Sequence, residues 1–241
     1  MGKRIRVQRR GRGSKTFQAS THKRVAPARY PTRQKERLET VVTGQVQQLL
    51  HDPGRGSPLA HVKLEDGESY YSVVPEGIYE GQNVELGTEA SVRIGNVVPI
   101  GRLPEGTTVC NVELSPGDGG KLARSSGSFA TIVSHTQDGT MLKLPSGKSR
   151  YVNDSCLATV GVVSGAGRDE KPFLKAGAKY HLMKSRGHKY PRTRGRAMIA
   201  AVHPYGGGRR GGRKVTTVSH RTPPGRKVGL ISARRAGHKK K

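Results

Sequence analysis

Short runs of β-branched and other apolar residues recur through the middle of the chain, separated by glycine, proline and aspartate at close intervals. Residues 40–46, 59–64, 70–74, 92–94, 97–103 and 109–112 form one set, and 129–134, 141–144, 151–152 and 159–163 a second. Asp66-Gly67 and Asp138-Gly139 each stand between two such runs, where a tight hairpin turn belongs. The close spacing predicts small antiparallel barrels, not the strand–helix alternation of a parallel sheet. The fold class expected is therefore all-β. Two barrels meeting near 112–116 fit the length, one over residues 38–112 and one over 113–172. A single short helix is expected over 174–185.

The two ends carry no such pattern. Residues 1–37 mix glycine, arginine and proline, as in Arg9-Arg10-Gly11-Arg12-Gly13, and residues 173–241 run through a Gly/Arg stretch to a closing His238-Lys239-Lys240-Lys241. Hydrophobic residues are only 32% of the chain and aromatics 5%. A core of that size serves small β domains and leaves the ends unable to offset their ordering entropy alone. Both ends are expected to be basic extensions.

Charge sharpens this division. Residues 1–37 hold 13 Lys/Arg and one acid; residues 38–112 hold 4 and 10; residues 113–172 hold 7 and 6; residues 173–241 hold 20 and none. The net charge of +27 thus lies in the ends, and a polyanion is the natural neutralising partner. Glycine lets the backbone approach a sugar–phosphate chain, and arginine gives phosphate a planar fork of donors. Threads of this kind suit the crevices of folded RNA better than a smooth duplex. DNA compaction is the alternative that the tails alone leave open. No run of about 20 apolar residues is present to span a bilayer. Met1-Gly2-Lys3-Arg4 leads into no apolar stretch, which predicts a chain that is not exported. Cys110 and Cys156 have no CxxC partner and are expected to be reduced, buried thiols in a cytoplasmic protein.

Four stretches, in order, carry a family resemblance: His51-Asp52-Pro53-Gly54-Arg55 leading to Asp66-Gly67; Ser115-Pro116-Gly117-Asp118-Gly119-Gly120-Lys121-Leu122-Ala123-Arg124-Ser125; Lys143-Leu144-Pro145-Ser146-Gly147 followed by Cys156-Leu157-Ala158-Thr159-Val160-Gly161; and Arg194-Gly195-Arg196-Ala197-Met198 through His203-Pro204-Tyr205-Gly206-Gly207-Gly208. Together they resemble the universal large-subunit ribosomal protein family commonly called L-two, in its archaeal or eukaryotic-type form. The resemblance implies an OB-like barrel followed by an SH3-like barrel, with extended tails in ribosomal RNA. It further implies a cytoplasmic ribosomal location near the peptidyl-transferase region and a role in subunit association. The implied partners are large-subunit rRNA, neighbouring ribosomal proteins and the small subunit, with no membrane and no homo-oligomer.

The candidate RNA-binding residues follow from these readings. Arg9, Arg10 and Arg12 stand in the N-terminal extension; Lys184, Arg186, Arg194, Arg196, His203, Arg209, Arg210, Arg213, Arg226 and Lys227 stand in the C-terminal one. Arg55 lies in a Gly/Pro loop, and the resemblance implies RNA contact there. Lys121 and Arg124 follow the glycine-rich 115–120 loop, whose successive backbone N–H groups can make an anion nest; the resemblance implies RNA contact for Arg124 too. The loop is no P-loop, since no Gly-Lys-Ser/Thr closes it. His203 is the one candidate general base, but no acid follows Glu170, and Val202 stands where bacterial relatives commonly carry Asp. The chain is expected to be non-enzymatic and to take no cofactor, apart from structural Mg²⁺ shared with rRNA. The His and Cys residues show no metal-ligand spacing. Leu157 departs from the bacterial pattern, where arginine is usual after the Cys, so the resemblance does not carry an RNA contact to that position.

Overall fold

A computed structural model describes residues 3–31, 40–208 and 217–234. Arg209, Arg210 and Arg213 lie outside the described residues. The chain divides into two compact units: unit 1 comprises Met1–Ser20 with Phe173–Lys241, and unit 2 comprises Thr21–Pro172.

Unit 2 is built on ten strands: β1 (Val42–Leu50), β2 (Leu59–Leu64), β3 (Ser69–Val73), β4 (Asn83–Leu86), β5 (Val97–Pro99), β6 (Thr108–Cys110), β7 (Ala130–Thr136), β8 (Gly139–Lys143), β9 (Ser149–Val152) and β10 (Leu157–Val160). They form one sheet in the order β3-β2-β1-β4-β5-β10-β6-β7-β8-β9. The fold is mostly sheet with few helices, as the patterning predicts. The sheet is open, with β3 and β9 at its edges, and β10 enters between β5 and β6. It therefore runs without a break across residue 112.

Local chemistry explains the turns. Gly67 sits at φ +88° between β2 and β3, and its N–H donates to the Leu64 carbonyl. Gly139 at φ +124° opens β8 directly after the β7 turn, and Gly147 at φ +77° closes the β8–β9 hairpin. Such φ values exclude most side chains, so glycine fixes where each strand reverses. Residues 92–94, expected to be a strand, are not one. Val92 and Ile94 are half exposed, and the segment closes the loop between β4 and β5, with Asn96 N–H donating to the Arg93 carbonyl. β4 was not expected; its Asn-Val-Glu-Leu alternates polar and buried positions over only four residues.

Alternation along the strands fills two main clusters. One gathers Val46, Val62, Leu64, Val84 and Leu86 from the first half of the sheet. The other gathers Ile100, Leu103, Ile132, Leu142 and Val152 from the second. A smaller cluster of Ala28, Leu59, Val73, Cys110 and Val163 brings the segment preceding the sheet into the core. Cys110 and Cys156 are free and buried, and burial pushes both thiols up to about 12. Among the described residues no helix is long and apolar enough to cross a membrane.

Among the described residues of unit 1, α1 (Arg6–Arg10) and α2 (Ala176–Ser185) are the α-helices. The N- and C-terminal segments are tied together within it. Lys3 N–H donates to the Ala201 carbonyl at 2.9 Å, and Ser20 N–H donates to the Ser185 carbonyl at 3.1 Å. Gly187, at φ +68°, lies against the backbone of Phe17–Ala19, where any Cβ would collide. The described parts of residues 1–20 and 173–234 thus form one unit with hydrogen bonds of their own, whereas residues 21–31 of the N-terminal end belong to unit 2.

Leu142 lies wholly buried at the centre of the second cluster. Leu142→Ala is expected to lower unfolding stability by about 2–5 kcal/mol, the range for opening a core cavity, as read by urea denaturation of the full chain.

Candidate nucleic-acid interface

Unit 1 contains 27 of the 44 Lys+Arg residues and none of the 17 Asp+Glu; unit 2 holds 17 of each and is neutral. The whole net charge of +27 therefore belongs to unit 1. Its described residues surround a cleft of about 640 Å³ lined by Arg4, Arg6, Arg9, Arg10, Arg192, Arg194 and Lys227, together with Ile5, Met198, Val202, His203, Tyr205 and Val228. Burial, and then the charges of Arg192, Arg9 and Arg10, hold the Arg6 pKa below its usual value. Among the described residues no Asp or Glu lines this cleft to pair its cations. One Arg6 amine nitrogen reaches the Thr193 carbonyl at 3.4 Å, while its buried Nε has no hydrogen-bond partner among the described residues.

A compact glycine-rich knuckle over residues 194–207 shapes the cleft. Ala197 and Met198 N–H groups turn back on the Arg194 and Gly195 carbonyls, and Gly207 N–H donates to the Met198 carbonyl. Gly195 lies against the His203 imidazole, and Gly206 against the backbone of Met198 and Ile199; neither position has room for a Cβ. His203 Nδ1 accepts the Tyr205 N–H at 3.1 Å, which places the ring proton on Nε2. Tyr205 donates its hydroxyl to the Val228 carbonyl at 2.9 Å, and its ring stands 5.4 Å from that of His203. Burial, then Arg6, lower the His203 pKa, so the ring is neutral near pH 7.

Five of the candidates drawn from the sequence line this cleft: Arg9, Arg10, Arg194, His203 and Lys227. Arg4, Arg6 and Arg192 join them and were not expected, because nothing in the sequence shows that the two ends meet. Arg12, Lys184, Arg186, Arg196 and Arg226 belong to unit 1 but not to the cleft lining. Lys184 and Arg186 sit at the end of α2, and Arg196 lies in a 3₁₀ turn spanning Gly195–Ala197.

Unit 2 presents a separate arginine cluster on its glycine loops. Arg55 Nε meets Asp52 at 2.8 Å, and the Asp52 side chain is fully buried. Gly54 leaves space for Arg24, Gly56 for Arg168 and Gly119 for Arg29. Arg124 donates to the Gly120 carbonyl at 2.8 Å and the Ala28 carbonyl at 2.7 Å. Burial, then neighbouring Arg55, lower its pKa, with Arg29 adding to the effect. Arg124 therefore clamps the loop to the segment 28–30, whose Ala28 and Tyr30 are buried. Tyr30 donates its hydroxyl to the Asn111 carbonyl and takes a hydrogen bond from Thr159. Burial raises the Tyr30 pKa well above its ordinary value.

The 115–120 loop does not offer its amides to an external anion. Glu113, buried, accepts the Gly119 N–H at 2.8 Å, the Gly117 N–H at 3.2 Å and the Leu157 N–H at 2.9 Å. Asp118 accepts the N–H groups of Leu114, Ser115 and Gly120 and pairs with Lys121 at 3.1 Å. The chain's own carboxylates fill the nest. Among the described residues no three His, Cys, Asp or Glu side chains gather as a metal set.

Burial alone would raise the Asp118 pKa, but Lys121 and the three amides outweigh it, and the net shift is downward. A depressed folded-state pKa contributes stability above the unfolded carboxylate's pKa, and that stability is lost as pH falls through the folded value. Asp118→Asn is thus expected to cost about 1–3 kcal/mol at neutral pH. The gap to the wild-type chain should close in acid, as followed by urea denaturation across pH.

Residues 1–86 match the family model described as Ribosomal Proteins L2, RNA binding N-terminal domain, and residues 93–227 match Ribosomal Proteins L2, C-terminal domain. The chain is similar to the Large ribosomal subunit protein uL2 of Korarchaeum cryptofilum, at 49% identity over 243 residues covering 100% of this chain and 98% of that protein. The protein of the same name from Methanocaldococcus jannaschii is 49% identical over 242 residues, with 100% of both chains covered. That of Natronomonas pharaonis is 49% identical over 238 residues, 98% of this chain and 97% of its own. With both domain models matched in order and relatives aligned from end to end, the chain belongs to the ribosomal protein L2 family.

Proposed function

We propose that this chain is a structural constituent of the large ribosomal subunit in the cytoplasm, where it binds large-subunit rRNA. The observation that carries this reading is the segregation of charge: one unit holds 27 Lys and Arg and no Asp or Glu, and the other, the β unit, is neutral. Unit 1 supplies affinity through phosphate contacts, by Arg9, Arg10, Arg12, Lys184, Arg186, Arg194, Arg196, Arg226 and Lys227, with Arg209, Arg210 and Arg213 in the same acid-poor stretch. Unit 2 supplies shape, presenting Arg55, Lys121 and Arg124 from loops that its own carboxylates hold in place. Mg²⁺ shared with rRNA phosphates completes the neutralisation. The chain works as one copy among neighbouring ribosomal proteins. Family membership supports a position that organises the peptidyl-transferase region and the contact with the small subunit.

Two features support reading the halves of the sheet as an OB-like and an SH3-like barrel. Each half has its own core cluster. Each also opens on a strand whose register shifts, between Val46 and Gln48 in β1 and between Ile132 and Ser134 in β7. Such bulges bend a strand and increase its twist.

His203 serves packing and RNA contact in this reading, not proton transfer. Its Nδ1 is taken by a backbone N–H, and no carboxylate exists in unit 1 to orient the ring. Ribosomes carrying His203→Ala are expected to keep the peptide-bond step within a small factor in single-turnover assays. A loss of about 100-fold or more in fully assembled particles, the scale of removing an acid–base group, would overturn this.

Electrostatic anchoring on about 6–10 phosphates predicts that affinity for an rRNA fragment falls by about 10³–10⁵ between roughly 50 and 200 mM salt. Filter binding of the full chain should show that slope and a preference for the rRNA fragment over duplex DNA of equal length. Equal affinity for both would instead establish a general DNA-compacting protein, and a flat salt response would remove the mechanism.

A further inference from the structure

The cleft of unit 1 has more apolar lining than phosphate binding requires. Guanidinium groups of Arg6 and Arg192 share it with Ile5, Met198, Val202 and Tyr205. A site for phosphate alone needs donors and charge; apolar and aromatic walls add nothing to it. A duplex lays its phosphates along its surface and keeps its bases stacked inside. An unpaired nucleotide presents both a flat, largely apolar base and an anionic phosphate, and single-stranded RNA is commonly bound by stacking such bases on aromatic or arginine planes. The volume of about 640 Å³ lies within the range of about 300–1,000 Å³ typical of small-molecule sites.

We propose that this cleft receives one unpaired nucleotide of the bound RNA, its base against Tyr205 and Met198 and its phosphate on the arginines of α1 and Arg192. The proposal rests on the RNA-binding reading and deepens it. Three details fit. Tyr205 has its hydroxyl committed to the Val228 carbonyl, which fixes the ring as a platform. His203, with Nδ1 engaged, keeps Nε2–H as a donor for a base edge or ribose oxygen. The buried Arg6 Nε has no hydrogen-bond partner among the described residues. A base seated here would fix the register of RNA along a unit otherwise dominated by non-directional charge.

The chain contains no tryptophan, so a single introduced indole reports on the cleft alone. Tyr205→Trp in the full chain is titrated with an end-labelled, short single-stranded RNA, with the same RNA carrying abasic residues, and with inorganic polyphosphate. Binding is read by anisotropy of the label or by competition, and base stacking by indole quenching. Met198→Trp, which leaves the Tyr205–Val228 hydrogen bond intact, repeats the test should the first variant fold poorly. Quenching is expected with RNA but not with abasic RNA or polyphosphate. Tyr205→Ala should weaken RNA binding by about fivefold or more, the worth of one stacked base, while leaving polyphosphate affinity unchanged. RNA that binds without quenching either indole, with abasic RNA binding equally well, overturns the nucleotide site and leaves RNA binding standing. Absence of RNA binding overturns both.

Discussion

Repulsion among like charges is the constraint on which the rest of the molecule depends. Unit 1 gathers every excess cation of the chain and contains no acid. In its cleft, burial and then the charges of Arg192, Arg9 and Arg10 hold the Arg6 pKa below its usual value. Little apolar burial opposes this: among its described residues, Ile5 and Val228 are the buried hydrophobics. Backbone hydrogen bonds such as Lys3 to Ala201 hold the two ends together, but each contributes only about 1 kcal/mol net. The missing favourable term is an external polyanion. Binding that anion and stabilising unit 1 are then one event, since whatever binds the folded form alone stabilises it by mass action.

Unit 2 solves the opposite problem. It holds a few arginines in fixed positions by contacts within the chain itself. Two separate clusters of aliphatic side chains provide the stability, and buried carboxylates provide the positioning. Asp52 anchors Arg55, and Glu113 and Asp118 collect the amides of the 115–120 loop. Burying a carboxylate is costly unless its oxygens are satisfied, and the loop glycines satisfy them. The glycines thus serve carboxylates of the same chain.

The sheet was legible because its signals are local. Asp-Gly steps and alternating apolar residues mark the β2–β3 and β7–β8 hairpins directly, and Leu59–Leu64 appears with its full length. Missed features are those decided by distant parts of the chain. Residues 92–94 are as apolar as a strand, but their place in the loop before β5 leaves Val92 and Ile94 partly in solvent. β10 pairs with β5 and β6 across a gap of more than forty residues, which no periodicity encodes. The site divides in the same way. Arginines beside glycine announce themselves as candidates, whereas Arg4, Arg6 and Arg192 gain their role only because the N- and C-terminal segments fold together.

Arg124 shows why an arginine in a basic protein cannot be assigned from sequence alone. Two of its nitrogens are spent on the Gly120 and Ala28 carbonyls, and the side chain is half buried against Arg55 and Arg29. Its charge still adds to the field that the loops present, while its donors hold the loop and the segment before the sheet in one geometry. Replacing it would loosen the presentation of Arg55 and Arg29 as well as remove a cation. Among the described residues, the side-chain hydrogen bond from a unit 1 arginine to the chain is the weak contact from Arg6 to Thr193. Division of labour follows from this difference. In the proposed reading, affinity, which needs many exchangeable phosphate contacts, rests on the arginines of unit 1, and specificity, which needs fixed geometry, on those already bound to the chain itself.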